Sequence, residues 1–261
     1  MRLGFIGTGV ITDAIIRGLS QTAMPISSIL ISARNADIAA ALAQDVATVS
    51  IAIDNQQIVD GADMVFVALR TQMAETVLRG LRFKPGQKIV SLMATATQAT
   101  VEDWTGGVGT VLRAVPLPFV AQHQSMTPIY PQDDELAHIF TALGGVVVAQ
   151  TEHELNVFMT AGSFMGVHYH FMAQCQAWLS AQGLAPEVCA PYLAKLFVNL
   201  AQQIQGDQVD FKALQQAHST PGGTNELIAT AFSQNGGDQA LRQAIDAAFV
   251  KITQPQAWAG V

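Results

Sequence analysis

Through roughly the first 150 residues, short runs of consecutive apolar residues alternate with segments whose apolar positions recur at helical spacing. Leu3–Ile6 is such a run. It ends at Gly7-Thr8-Gly9, and Ala14, Ile15, Ile16 and Leu19 follow at helical spacing. The reading is strand, tight glycine turn, helix. Ile29–Ser32 and Val49–Ile51 predict two more strands, with helices over Ile38–Leu42 and Ile58–Gly61. Met64–Leu69, Lys88–Leu92 and Thr110–Arg113 predict the next three, separated by helical stretches at Thr76–Leu81 and Val101–Trp104 and a turn at Lys84-Pro85-Gly86. A helix over Glu135–Leu143 and a β-branched strand over Gly145–Val148 close the series. Strands alternating with helices at this spacing imply a parallel sheet with helices on both faces. The unbroken apolar character of the strands fits a sheet covered on both sides.

Near residue 150 the pattern changes. From Glu152 onward the spacing predicts helices only: one long helix over Leu155–Ala181, then Pro186–Gln205, Phe211–Ala217, Thr224–Ser233 and Asp238–Ile252. Pro186 sits where helix starts tolerate proline. The expected architecture is α/β: a Rossmann-type parallel sheet over residues 1–150, followed by an all-helical domain over 151–261. Met159, Phe164, Met165, Phe171, Met172 and Trp178 fall along the first long helix. A helix apolar nearly all round is buried on more than one side. A second subunit or an internal core would supply that cover.

Composition narrows the function. Half of the 261 residues are hydrophobic and 13% are charged, which fits a large core and not a solvated, disordered chain. A net charge of −7 argues against a nucleic-acid partner, which needs a basic surface. It leaves room for a small anionic ligand at a local positive site. Cys175 and Cys189 cannot build a disulfide framework, have no metal-ligand spacing, and read as buried small side chains. No metal site is expected. Met1-Arg2 runs straight into the first strand without a cleavage site, and no apolar run reaches membrane-spanning length, so a cytoplasmic protein is the expectation.

Gly7-x-Gly9 lies where a strand turns into a helix. Its glycines allow a sharp turn and close approach of a pyrophosphate, and the helix start at Val10 and Ile11 offers free N–H groups and a positive dipole end. Thr8 belongs to the same turn, and Thr12 stands where the dinucleotide fingerprint has its third small residue. A plain structural turn is the alternative. The second strand ends in Ile31-Ser32-Ala33-Arg34-Asn35, without the acid that binds a ribose 2′-hydroxyl. Arg34 can pair with a 2′-phosphate, and Ser32 and Asn35 can donate to it. This selects NADP over NAD, unless Arg34 is a solvated surface side chain.

With these residues in place, the chain resembles the pyrroline-5-carboxylate reductases across nearly its whole length. Phe5-Ile6-Gly7-Thr8-Gly9 through Ala14–Leu19 is similar to that family's opening. Ala68-Leu69-Arg70-Thr71-Gln72 stands where it has Ala-Val-Lys-Pro-Gln, and Ser91-Leu92-Met93-Ala94 where it has Ser-Ile-Ala-Ala. Thr220-Pro221-Gly222-Gly223-Thr224 resembles its Ser-Pro-Gly-Gly-Thr signature. The resemblance implies a helical dimerisation domain, a homodimer or higher homo-oligomer, and NADPH-dependent reduction of a cyclic imine carboxylate. It implies that Ala68, Leu69, Arg70 and Ala94 line the cofactor. Thr220, Gly222, Gly223 and Thr224 would bind the substrate carboxylate, with Thr224 and Ser163 as the catalytic candidates. A glycine-rich helix entry suits an anion on physical grounds too, although Thr224 can also serve as an ordinary cap.

Two departures bear on substrate. The family's Arg-Val-Met-Pro-Asn-Thr-Pro appears here as Arg113-Ala114-Val115-Pro116-Leu117-Pro118, so Leu117 removes a donor and an acceptor. Its Ser-Gly-Ser-Gly-Pro-Ala becomes Gly162-Ser163-Phe164-Met165-Gly166-Val167, with Phe164 and Met165 adding bulk. An NADP-binding paralogue with another imine, keto or hydroxy acid as substrate, or with no catalytic activity, is the alternative function. His168 and Tyr169 are further proton-donor candidates. His168 and His170 are two apart on a helix and cannot form a metal pair. His123 reads as exposed loop. Lys195 and Asn199 have the Lys-x-x-x-Asn spacing of related hydroxyacid dehydrogenases, but on the second C-terminal helix, where they read as a solvated face.

Overall fold

The computed structural model describes residues 1–204, 206 and 208–255. Strands β1 (Arg2–Ile6), β2 (Ser28–Ile31), β3 (Val49–Ile51), β4 (Met64–Val67), β5 (Lys88–Ser91) and β6 (Thr110–Ala114) alternate with helices α1 (Val10–Ser20), α2 (Ala36–Asp45), α3 (Asn55–Gly61), α4 (Thr71–Arg79) and α5 (Gln98–Trp104). A 3-10 turn (Pro118–Gln122), β7 (Thr127–Tyr130), α6 (Asp134–Ala142) and β8 (Val146–Val148) follow. The sheet runs β3-β2-β1-β4-β5-β6-β7-β8. Its first six strands have the doubly wound dinucleotide-binding order, which reverses direction between β1 and β4.

Side chains alternate between the two faces along each strand. Leu3, Phe5, Ile29, Ile31 and Phe66 enter the core beneath α1, α2 and α6. Ile6, Val65, Val67 and Ile89 enter the core beneath α3, α4 and α5. Phe5 and Phe66, paired across β1 and β4, stack at 4.7 Å directly under the strand ends that carry the site. Such a pair adds about 1 kcal/mol to what its burial contributes. Gly18 lets α1 lie against the 3-10 turn, since a Cβ there would meet the Val120 carbonyl oxygen at 2.4 Å. His123, expected as exposed loop, is half-buried instead, with Nε2 at 2.9 Å from the Gly18 carbonyl.

The sheet is not wholly parallel. β7 pairs antiparallel with β6 and parallel with β8. Pro128 inside β7 hides this strand from a reading by pattern, because proline removes a ladder donor. Its carbonyl still accepts from the Val115 N–H at 2.9 Å.

The expected long helix is interrupted. α7 (Glu152–Gly162) and α8 (Phe164–Ala181) meet at Ser163, where glycine and serine in succession weaken helical continuity. α9 (Pro186–Gln202), α10 (Phe211–Ala217), α11 (Thr224–Gln234) and α12 (Gly237–Thr253) complete the chain; Gln205, included in the predicted second helix, lies outside the described residues. The compact units divide at Gly162, one helix after the change of pattern near residue 150. The first comprises Met1–Gly162 and the chain from Phe249, the second Ser163–Ala248.

In the second unit α8 and α9 pack together, with Phe171 and Phe197 edge to face at 5.9 Å. Cys189 is buried there, while Cys175 is only half-buried. Lys195 and Asn199 are exposed, as a solvated face requires.

One ion pair fastens α7 to the sheet. Arg113, on β6, is 2% exposed and donates to Glu152 at 2.7 Å and to Asn156 Oδ1 at 3.3 Å. Burial holds its pKa below the ordinary guanidinium value, against the pull of Glu152. The same Glu152 oxygen accepts the Gln98 N–H at the start of α5, at 2.7 Å. Removing one partner of a buried pair leaves the other charge uncompensated. Glu152→Ala should therefore lower the unfolding free energy by roughly 3 kcal/mol, measured as a shifted urea midpoint at constant slope, while Glu152→Gln, which keeps an acceptor, should cost less.

Candidate functional site

The site forms where β1 and β4 end and the strand order reverses. Gly7 has φ of 104°, and a Cβ on it would lie 2.3 Å from the Ala68 carbonyl oxygen. Only glycine permits that approach. The turn is held from behind. The Gly7 N–H donates to Ser32 Oγ at 3.0 Å, Thr8 Oγ1 donates to the Ser32 carbonyl at 2.6 Å, and Thr12 Oγ1 donates to the Gly7 carbonyl at 2.7 Å. Thr12 is fully buried. Its hydroxyl explains why a threonine stands at the third fingerprint position.

Gly9 caps α1 with no side-chain partner, and a Cβ on it would meet nothing within 4 Å. No side chain caps the first N–H groups of α1, which begin at Val10 and Ile11, and the space beside Gly9 is open, as a phosphate site requires. Val10 is 69% exposed. Gly7, Thr8, Gly9, Arg34, Asn35 and Ala68 line an open cleft of about 510 Å³, together with Leu69, Arg70 and Met73. The glycine turn, open helix end and cationic rim fit a dinucleotide phosphate.

Arg34 stands at the rim with Nη1 at 2.8 Å from Met73 Sδ. A thioether neutralises no charge, so the guanidinium remains available to an anion. Asn35 is exposed beside it. Ser32 is different: it is buried and its hydroxyl receives the Gly7 N–H, so it braces the turn and does not reach a ribose phosphate. Ala94 is exposed just past β5, and the loop that carries it is joined to the start of α4 by the Thr95 and Thr71 hydroxyls at 2.7 Å.

Sequence reading missed the buried network of Arg113, at the ends of β5 and β6. Arg113 Nη2 lies 3.5 Å from the Met93 carbonyl, next to Ala94, and Arg113 is paired in register with Ser91. The available signal was a lone charge inside the apolar run Val111-Leu112-Arg113-Ala114. Leu117 lies against Gly162, whose added Cβ would be 3.3 Å from Leu117 Cδ2.

The remaining candidates belong to the second unit. Thr220-Pro221-Gly222-Gly223 leads into α11, with Gly223 as its cap and Gly222 at φ of 73°. The Gly223 N–H is committed to the Thr220 carbonyl at 2.8 Å, and the Gly222 N–H donates to Glu226 Oε2 at 2.6 Å. Gly223 thus shapes the loop and has no N–H to offer a ligand. Asn225 Nδ2 anchors the loop to the His218 carbonyl at 2.8 Å. Thr224 is exposed at the first turn of α11, and Ser163 is exposed at the start of α8. Phe164 is 44% exposed and so is not core. His168 sets its ring edge to face against Phe197 at 6.0 Å. Among the described residues, no helix is long and apolar enough to cross a membrane, and no group of three or more His, Cys, Asp or Glu could hold a metal ion.

Known proteins bear on this geometry. Residues 2–95 match the family described as NADP oxidoreductase, coenzyme F420-dependent, and residues 152–254 match the one described as pyrroline-5-carboxylate reductase dimerisation. The chain is 27% identical to the pyrroline-5-carboxylate reductase of Pseudomonas aeruginosa, over 95% of this chain and 94% of that one. Its fold is similar to the crystal structure of the 1-pyrroline-5-carboxylate reductase of Streptococcus pyogenes, with a TM-score of 0.82, 24% identity, and coverage of 97% and 98% of the two chains. It is also similar to a Plasmodium falciparum pyrroline carboxylate reductase with NADP bound, with a TM-score of 0.80, 16% identity, and 96% of each chain covered.

The two turn glycines make separable predictions. Gly9→Ala adds a methyl that touches no protein atom, so the fold should stand while NADPH affinity drops about tenfold or more, because the methyl projects into the phosphate space. Gly7→Ala forces both a clash and a disfavoured backbone, and should cost roughly 2 kcal/mol or more of stability. Thermal denaturation and fluorescence titration with NADPH, run on both variants, read the two effects independently.

Proposed function

We propose that the chain is a member of the pyrroline-5-carboxylate reductase family and an NADPH-dependent reductase of a cyclic imine carboxylate, converting 1-pyrroline-5-carboxylate to proline. The observation that carries the reading is the open phosphate cradle of Gly7, Gly9 and the α1 start with Arg34 at its rim, in a chain whose helical half matches the family's dimerisation domain. Residues 1–150 then act as the NADP-binding part, and 151–261 as the dimerisation and substrate part.

NADPH, when bound, supplies the hydride. The chain's own residues position the partners and exclude water. In this reading Gly7, Thr8, Gly9, Val10 and Ile11 hold the pyrophosphate, and Arg34 with Asn35 holds the 2′-phosphate. Ala68, Leu69, Arg70 and Ala94 line the dinucleotide. Thr220, Gly222 and Thr224 hold the substrate carboxylate, on a loop that Gly223 shapes. A cyclic imine that enters protonated keeps its proton on nitrogen as the carbon receives hydride, so little acid catalysis is required. Thr224 and Ser163 serve as hydrogen-bond donors to the substrate.

The helical half supports a homodimer. Trp178 is 64% exposed, and Tyr169, Phe171, Leu227, Ile228 and Phe232 are exposed with it. Apolar surface on that scale marks an interface. The two unpaired cysteines accord with a reducing cytoplasm.

A second reading rests on Leu117, an apolar side chain where the family places an asparagine, and on Phe164. It gives the same cofactor and fold a bulkier imine or a keto acid, or no turnover at all.

Initial rates of NADPH oxidation with 1-pyrroline-5-carboxylate separate these. Saturable turnover that falls at least tenfold in Thr224→Ala is expected; NADPH binding without turnover would favour the second reading. Arg34→Ala should raise the KM for NADPH about tenfold or more, from loss of a charge-assisted pair, and leave the KM for NADH unaltered. Trp178→Glu combined with Phe171→Glu should shift the mass in light scattering from that of a dimer to the 27.7 kDa of one chain.

A further inference from the structure

The loop that leads into α11 already holds a carboxylate, and it is the protein's own. Glu226 Oε2 accepts the Gly222 N–H at 2.6 Å, and a carboxylate acceptor makes that hydrogen bond a charge-assisted one. The Gly223 N–H is taken by the Thr220 carbonyl, a backbone partner fixed by the turn. Of the two glycine amides, only that of Gly222 can be released, because its acceptor is the end of a flexible, exposed side chain.

We propose that Glu226 is a specificity-determining residue: its carboxylate competes with the substrate's carboxylate for the Gly222 N–H, so that a carboxylate-bearing imine binds only by displacing it. The inference rests on the reading that the Thr220–Thr224 loop receives that carboxylate. One N–H cannot serve two anions at hydrogen-bond distance, and the two repel one another. The competitor is four residues from the donor and permanently tethered. Its advantage over a free ligand is that of an intramolecular partner. An imine without a carboxylate has no use for the Gly222 N–H and leaves Glu226 in place. Glu226 therefore weakens selection for the carboxylate and narrows the preference between imines that carry it and imines that lack it.

The test compares 1-pyrroline-5-carboxylate with 1-pyrroline, the same ring without the carboxylate, in wild type, Glu226→Ala, Glu226→Gln and Thr224→Ala. The ratio of their kcat/KM values should move toward the carboxylate about tenfold in Glu226→Ala, as expected from removing a charged competitor. In Glu226→Gln it should move part of the way. Glutamine keeps an acceptor of the same length for the start of α11, which separates lost competition from a weakened helix cap. In 15N-labelled Glu226→Ala the Gly222 amide resonance should move from its wild-type position and return toward it on addition of L-proline. An unchanged or lower ratio in both Glu226 variants, with Thr224→Ala still impaired on the carboxylate, would leave the reductase reading standing and overturn the role of Glu226. No turnover in any form, with no L-proline shift at Gly222, would overturn both.

Discussion

The contact between the backbone at Gly7 and the carbonyl of Ala68 sets the geometry of the first unit's functional edge. It brings the ends of β1 and β4 together where the sheet reverses direction, leaving α1 to begin over an open cleft. Nothing larger than a hydrogen fits there. The hydrogen bonds around it all serve to hold that turn: Ser32 from the next strand, Thr8 within the turn, and Thr12 from one helical turn along. The stacked Phe5 and Phe66 support it from the core. Phosphate binding needs free N–H groups in a fixed array. The strand ends fix the array, and the absence of a cap at Gly9 keeps it free.

Much of this was legible in the sequence, for identifiable reasons. β1 to β6 are continuous apolar runs between turn residues, and a sheet covered on both faces requires such runs. The glycine turn announced itself by falling between a strand and a helix. Where the reading failed, a local feature opposed the tertiary structure. Pro128 concealed β7, which is held by pairing on both sides. The apolar pattern ran on through Ser163 although the helix does not, because a period of side chains says nothing about one weak point in the backbone. Ser32 stood at the right place in the sequence for a phosphate ligand, yet it faces the interior. At a strand end, one residue decides which face a side chain meets. Arg113 went unassigned because its partners, Glu152 and Asn156, lie far along the chain.

The helical half shows a different limit. Its side chains are apolar in composition yet exposed in a single chain, and a pattern of apolar positions does not name what covers them. The loop before α11 is held by hydrogen bonds of its backbone N–H groups. What those groups are bonded to is invisible to a motif: Thr-Pro-Gly-Gly-Thr says nothing about the carboxylate of Glu226 two residues on. The same spacing that makes glutamate a good partner for a helix start also brings it to the Gly222 N–H.

The ion pair of Arg113 and Glu152 has a consequence for engineering. An exchange of helical halves between relatives, cut where strands give way to helices, would take Glu152 and Asn156 from one parent and Arg113 from the other. The chain from Phe249 belongs to the sheet-bearing unit as well, and the Phe249 ring meets His153 of α7 edge to face at 5.7 Å. The interchangeable module is therefore an insert, bounded by Gly162 on one side and Phe249 on the other. A chimera built on those two junctions keeps each buried charge with the partner it evolved beside.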